Sequence, residues 1–394
     1  LMNDMTLGLD AATLTLGIPG FTYPDLYEPQ ALARLTATFD AFLAERDPSV
    51  GARLAAYRAS QGVGMTPEEQ SFTLVDAAPH LGAFIARLFR IEGEWNAQVE
   101  AIRDEDQTVL GFRNQFVEPL TKKYKGVDAK GFERPALAQA AATLRDAARD
   151  GARLVHDEEY LTARAAAILS SDAARSASFL GALRRNPAWA GLTADGALIE
   201  AARVALEQWC LLVQADADFH PAAANAWASF KQPAKTDVQH LVHHPEVDQG
   251  GYKTWVAEDA HRRRRDGFHL TDPRYGRRRV MYEVDHCIYC HDRDNDTCSK
   301  GMPNKKDGGF KTNALGVAVT GCPLGEKISE MHVVKRGGDN IGALALVVID
   351  NPMCPGTGHR ICNDCMKGCI YQKTEPVNIP QIETSVLTDV LDLP

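Results

Sequence analysis

Eight of the nine cysteines in this 394-residue chain lie in one C-terminal window, and the ninth, Cys210, stands alone. Two pairs in this window, Cys287 with Cys290 and Cys362 with Cys365, have a spacing at which a tight turn points both thiolates toward one metal centre. No secretory signal precedes them, which argues against disulfides. The clustering therefore predicts metal ligation, whereas Cys210 is expected to be a small apolar core residue.

The gaps around these pairs favour iron–sulfur clusters over lone ions. The first pair is followed by Cys298 and then by Cys322-Pro323, and the second pair is followed by Cys369. An iron–sulfur cluster takes four soft thiolates, and in two-cluster ferredoxins the cysteine before a proline ligates the other cluster. The alternative is a pair of zinc sites with four cysteines each, although zinc sites usually show regular pairs rather than uneven triplets.

A longer series of residues around the cysteines matches one known family. The series is Cys287-Ile-Tyr-Cys290, Gly321-Cys322-Pro323-Leu324-Gly325, Asn351-Pro352, Thr357-Gly358, Arg360-Ile-Cys362, Cys365, Gly368-Cys369, Glu375-Pro376, Val377-Asn-Ile379 and Ile382-Glu383. From about residue 285 to residue 384 the chain resembles the N-terminal iron–sulfur domain of the glutamate synthase small subunit and its relatives, including dihydropyrimidine dehydrogenase. The resemblance implies an α-helical ferredoxin fold that holds two [4Fe–4S] clusters.

The resemblance also implies which residues ligate each cluster. The first cluster would be held by Cys287, Cys290, Cys298 and Cys369. The second cluster would be held by Cys322, Cys362, Cys365 and Glu383. Because a carboxylate is a hard ligand, Cys354 is a rival for the fourth position of the second cluster.

By the same resemblance, the chain is the electron-transfer part of an oxidoreductase that depends on FAD and NAD(P)H. It would relay electrons between a flavin domain and an unknown acceptor protein or subunit. No G-x-G-x-x-G follows a strand, so FAD and NAD(P)H are expected on a missing domain or a flavoprotein partner, and the catalytic residues are unknown. A second hypothesis is a zinc-stapled helical interaction module without redox activity.

The residues before the cysteines predict helices. Thr66-Pro67-Glu68-Glu69 predicts a helix start with a capping box, and Pro79 is expected to interrupt that helix. Leu198, Ala202, Leu206 and Trp209 form an apolar stripe that is typical of a helix in a bundle.

The predicted fold class is mainly α, with a helical N-terminal domain followed by an α-helical ferredoxin-like iron–sulfur domain. The predicted ranges are a helical domain of unknown role at 1–230, a basic connector containing Pro and Gly at 231–283, the two-cluster domain at 284–385, and a tail at 386–394 that leads to the missing flavin domain.

Charge and hydropathy limit the partners and the location. The net charge is −9 at pH 7, so the overall field does not favour binding to nucleic acid. No apolar stretch of about 18 residues is present, which predicts no membrane span. Because thiolates must stay reduced while clusters assemble, we expect a cytoplasmic protein. Two basic runs, Arg262–Arg265 and Arg277–Arg279, are expected to form a solvated or partner-docking face, or to offset cluster charge.

Overall fold

A computed structural model describes residues 15–242, 244–257, 267–268, 272–293, 295–357 and 361–394. Helices dominate this part of the chain, so the prediction of a mainly α protein with a helical N-terminal region is confirmed. The α-helices are α1 (Pro29–Arg46), α2 (Pro48–Ser60), α3 (Pro67–Phe89), α4 (Glu92–Glu105), α5 (Glu118–Lys123), α6 (Arg134–Ala147), α7 (Glu158–Leu169), α8 (Ala177–Leu183), α9 (Asp195–Ala215), α10 (Pro221–Ala226), α11 (Arg277–His286), α12 (Thr297–Lys300), α13 (Ile328–Arg336), α14 (Asn340–Asp350), α15 (Cys354–Thr357), α16 (Asp364–Gly368) and α17 (Ile379–Leu391). The strands are β1 (Glu246–Gln249) and β2 (Tyr252–Trp255).

The chain divides into two compact units. The first unit joins the described residues of Leu1–Val99 to those of Pro233–Pro394, and the second unit is Glu100–Gln232. This boundary differs from the ranges drawn from the sequence, because α3 packs on α13 and α14 within the first unit. The N-terminal helices therefore support the cysteine-bearing part of the chain.

Helix α3 begins as the sequence predicts but continues further. The side chain of Thr66 accepts a hydrogen bond from the Glu69 backbone N–H, and the Glu69 carboxylate accepts one from the Thr66 N–H, which confirms the capping box. The predicted interruption at Pro79 is wrong, because the helix runs unbroken from Pro67 to Phe89. Packing against α13 and α14 offsets the loss of the one backbone hydrogen bond that a proline removes.

Polar contacts fix the turn before α14. Asp339 caps this helix by accepting a backbone N–H bond at 3.0 Å, and it also accepts the indole N–H of Trp95 at 2.9 Å. The buried ammonium of Lys335 donates to Asn340 at 2.8 Å and to Asp389 at 3.0 Å. These contacts join α13, α14 and α17 to one another and to α4.

One described helix, α3, is long and apolar enough to cross a membrane, judged by length and composition alone. The sequence predicted no such helix. The α3 residues Leu74, Phe84 and Leu88 are buried in the core of the first unit. A core helix passes the same test, so the chain is not a clear membrane protein. Its placement in the cytoplasm stays a prediction.

Helices α6, α7, α8 and α9 form the core of the second unit. The predicted stripe of α9 is confirmed, since Leu198, Ala202, Leu206 and Trp209 are all buried. Cys210 beside them is a fully buried free thiol, as expected for a small apolar core residue.

The connector leads from the second unit to the cysteines. Strands β1 and β2 form an exposed antiparallel hairpin in which Glu246 lies opposite Trp255. The basic run Arg262–Arg265 lies outside the described residues, whereas Arg277–Arg279 form the first turn of α11. The helices from α11 to α17 then carry or flank all eight clustered cysteines.

Candidate functional site

The first two cysteines of the window meet through a turn after α11. Cys287 directly follows this helix, and Cys290 begins a single 3₁₀ turn that ends at Arg293. Between them, Tyr289 has a left-handed backbone conformation with φ of 52°, which is uncommon for a residue with a side chain. Its N–H donates to the Cys287 Sγ at 3.4 Å, and its hydroxyl donates to the Val284 carbonyl at 3.1 Å, so two bonds hold the turn.

Two more cysteines reach the same place from other segments. Cys298 lies in α12, and Cys369 follows α16. Gly368 permits a close approach of these segments, since a Cβ there would lie 2.7 Å from the Thr297 carbonyl oxygen. Four cysteines, which we call the first set, line one cavity: Cys287, Cys290, Cys298 and Cys369. Apolar side chains line it with them: Ile288, Ile370, Val377 and Ile379.

Burial keeps the thiols of the first set protonated near neutral pH. It raises the pKa of Cys287 to about 12, and the nearby Cys369 and Cys290 add to the rise. Burial, followed by the charge of Asp296, raises the pKa of Cys298 well above its ordinary value. A metal centre at this cavity must therefore displace protons from sulfur as it binds.

Helix α13 contributes two polar side chains to the same cavity, Ser329 and His332. The Ser329 hydroxyl is hydrogen-bonded to the Nδ1 atom of His291 at 2.5 Å. Both ring nitrogens of His332 are buried and have no hydrogen-bond partner within the described part of the chain. Burial lowers the pKa of His332 to about 3, so its imidazole is neutral at physiological pH.

The second set is Cys322, Cys362, Cys365 and Glu383. Cys362 is exposed and Cys365 is half-buried, so this set is more open than the first. Burial raises the pKa of Cys365, and the charges of the other three members, Cys322, Cys362 and Glu383, add to the rise.

A turn of the backbone supports the sulfur of Cys322. Burial raises the pKa of Cys322, while the backbone N–H groups of Leu324, Gly325 and Glu326 act in the opposite direction and favour the thiolate. The Gly325 N–H donates to the Cys322 carbonyl at 3.0 Å and closes the turn.

The two candidates for the fourth position of the second set lie side by side. Cys354 is hydrogen-bonded to Glu383, and the Asn351 amide donates to the Glu383 Oε1 atom at 3.3 Å. Burial and the nearby Glu326 raise the pKa of Glu383 to about 7. Glu383 also acts on the pKa of Cys365, which places its carboxylate toward the second set.

The two sets are joined through the backbone. The N–H of Cys322 donates to the carbonyl of Cys298 at 2.8 Å. Beside this bond, Gly321 has a φ of 74°, and a Cβ on it would lie only 2.4 Å from the backbone nitrogen of Gly301. The segments that carry the two sets therefore pack backbone against backbone.

The structure brings the four cysteines of the first set together and gathers the second set around Cys365. Sequence reasoning did not select His332, because it belongs to an ordinary helix, and it quoted Asn351 in the motif series without giving it a role. Gly358 and Arg360 of the predicted motif lie outside the described residues.

Comparisons with known proteins find similarity over short segments of the chain. Residues 16–90 match the family model described as the RP005 N-terminal alpha-helical domain. Two proteins of Rickettsia prowazekii (strain Madrid E) are similar over short segments. Uncharacterized protein RP006 is 64% identical over 42 residues, which are 11% of this chain and 6% of that protein. Uncharacterized protein RP005 is 45% identical over 56 residues, which are 13% of this chain and 19% of that protein.

This chain thus covers far less than two thirds of the length of either relative. No solved structure matches it.

The inferred resemblance of residues 285–384 to the glutamate synthase small subunit family is wrong. The matching family model covers the N-terminal helices instead, and the similar proteins carry no ferredoxin or oxidoreductase name. The predictions of an oxidoreductase, of a ferredoxin domain and of a preformed metal site depended on this resemblance and are wrong as well. Among the described residues, no three His, Cys, Asp or Glu side chains form a group that could hold a metal ion as they stand. Short Cys, Gly and Pro patterns report local turns, and unrelated chains share them.

Proposed function

We propose that the first and second sets are cofactor sites, each for one [4Fe–4S] cluster, and that the chain relays single electrons through them. The observation that carries this proposal is the cavity of the first set, which four cysteines from three segments of the chain line together. Four soft donors in an apolar pocket are the donor set that iron–sulfur chemistry uses. The proposal rests on these residues and on no family membership.

The spread of the sulfurs favours a cluster over a lone ion. A zinc ion holds its sulfur ligands about 2.3 Å from one central point. No group of three ligands converges in this way among the described residues, whereas the cysteines of the first set surround a cavity. Four cysteines around an apolar cavity match the four thiolate ligands that an iron–sulfur cluster takes.

The residues of the chain would bind, orient and shield the cofactor. When bound, an iron–sulfur cluster takes up and gives back one electron. The N–H of Tyr289 donates to the Cys287 sulfur, and the backbone N–H groups after Cys322 favour its thiolate. Such bonds stabilise negative charge on the sulfurs. The apolar walls keep water away from the first set.

The second set offers three thiols and a carboxylate. Asn351 orients Glu383 by a hydrogen bond, and Cys354 lies next to it as the other fourth donor. Because Cys362 is exposed, we place the exchange of electrons with a partner at this set.

Metal and sulfide analysis of the full chain tests this proposal. Oxygen-free purification should give a brown protein with about eight irons and eight sulfides per chain, and a paramagnetic signal after dithionite. The Cys210→Ala variant is the matched control and should keep the same iron, because this thiol is buried in the second unit. One or two zinc ions without sulfide would instead support a zinc-stapled interaction module. Absence of both metals would overturn both functions.

A further inference from the structure

Two polar side chains of the first cavity, His332 and Thr297, have buried atoms without a hydrogen-bond partner in the described part of the chain, and only His332 brings a ring N–H. The residue is fully buried in α13 and lines the cavity with the four cysteines. Neither ring nitrogen has a partner among the described residues. A buried donor without a partner destabilises the folded state, so such a group in a folded protein calls for an explanation.

Several polar groups near His332 are hydrogen-bonded to other residues. The Ser329 hydroxyl is bonded to His291, whose Nε2 atom lies 2.9 Å from Asp292. The Lys335 ammonium is bonded to Asn340 and Asp389. Glu330 Oε1 accepts the hydroxyl of Ser71 at 2.6 Å. The ring of His332 lines the cavity, where the nearest functional groups named here are the four cysteines.

We infer that His332 donates a ring N–H to a sulfur of the cofactor in the first set, and that it is a positioning residue that raises the reduction potential of this centre. The inference rests on the proposed function. It goes further by assigning a role to a side chain that is not one of the ligands. The neutral imidazole has one N–H to donate, and its ring lines the cavity that the four cysteines share.

A hydrogen bond to sulfur favours the reduced form because this form carries more negative charge. One electron enters from the reductant, and His332 keeps its proton throughout. Removal of the donor should lower the equilibrium constant for reduction by about tenfold, which is about 59 mV for one electron. Only the reduction potential of the first set should change, and that of the second set should stay the same.

Redox titration of the full, cluster-containing chain followed by electron paramagnetic resonance tests the inference. His332→Leu removes the donor at similar volume, and His332→Gln keeps an N–H. We expect the Leu variant to hold the same iron and sulfide with one potential lowered, and the Gln variant to recover much of the shift. His220→Leu in the second unit is the control, since His220 caps α10 and contacts Glu158 instead. An unchanged potential in His332→Leu overturns the inference.

A second measurement requires no variant. In wild-type chain labelled with ¹⁵N-histidine, pulsed paramagnetic resonance of the reduced protein should detect a histidine nitrogen coupled to one cluster, and absence of this coupling overturns the inference even if His332→Leu fails to fold. The two proposals also fail differently. If the wild-type chain contains no iron and sulfide, the proposed function falls and this inference with it. If the iron is present but the nitrogen coupling is absent, only the inference falls.

Discussion

The first and second sets differ in how completely the protein encloses them. In the first set Cys290, Cys298 and Cys369 are buried, and the cavity walls are mostly apolar. In the second set Cys362 is exposed, and the buried side is polar, with Glu383 hydrogen-bonded to Asn351. The chain thus builds one closed, apolar site and one open site with a polar floor.

This contrast indicates that the two sets are not duplicate copies of one site. Burial in an apolar pocket raises the cost of charge and shields a cofactor from water, which suits storage of an electron at a defined potential. Exposure at Cys362 allows a partner to approach the second set. A backbone hydrogen bond between Cys322 and Cys298 links the two sets directly. Substitutions in one set can therefore test whether the other set depends on it.

The largest expected effect is the loss of one whole site. Cys369→Ser replaces a soft sulfur of the first set with a hard oxygen, so we expect the chain to lose about half of its iron and sulfide. The second set should retain its share, because Cys369 lies in the cavity of the first set. Metal analysis and visible absorption of the oxygen-free protein measure the loss. Full iron content in Cys369→Ser would show that this cysteine is not a ligand.

A smaller loss, spread over both sets, is expected from Gly368→Ala. The added Cβ would lie 2.7 Å from the Thr297 carbonyl oxygen and 3.1 Å from the Gly321 Cα, at the junction of the two segments. We expect the free energy of unfolding to fall by about 1–3 kcal/mol and iron to decrease at both sites. Chemical denaturation and metal analysis give the two quantities.

Gly356→Ala is the matched control for this junction. A Cβ at Gly356 meets no atom within 4 Å, so this variant should unfold at nearly the same denaturant concentration as the wild type. If Gly368→Ala behaves like Gly356→Ala, the close packing between the two sets does not contribute to their integrity.

The next effect concerns a single ligand of the second set. Because Glu383 lies near Cys365, Glu383→Ala should make the cofactor of the second set labile, with faster loss of iron in air. Cys354→Ala should keep the cofactor, since Cys354 contacts Glu383 rather than the other cysteines. Timed iron release from the two variants decides between them. The reverse order of stability would assign the fourth position to Cys354.

Sequence patterns predicted the local features of this molecule better than its long-range arrangement. The capping box at Thr66 and the stripe on α9 were predictable because each depends on residues three or four positions apart. The continuation of α3 through Pro79 was not, since it depends on packing against α13 and α14 far along the chain. Tertiary contacts override local propensity in such cases.

The candidate sites show the same division. Two-residue spacing identified pairs of cysteines, because a tight turn is local. The position of His332 could not be predicted, since it depends on how α13 packs against a turn 40 residues earlier. The family inference failed for a related reason: short motifs record turns, whereas family membership requires similarity along a whole domain.

The smallest expected effect compares the reactivity of single thiols without changing the protein. In chain stripped of metal, iodoacetamide at pH 8 should modify exposed Cys362 at least on the order of tenfold faster than Cys287, since the thiolate is the nucleophile and burial raises the pKa of Cys287 to about 12. Mass spectrometry of the labelled peptides gives both rates, and raising the pH should speed the reaction at Cys287. Unfolding in urea should bring the rates together, because it removes the difference in burial. Equal rates in the folded chain would mean that the first set is as open as the second, and the contrast between a closed and an open site would be lost.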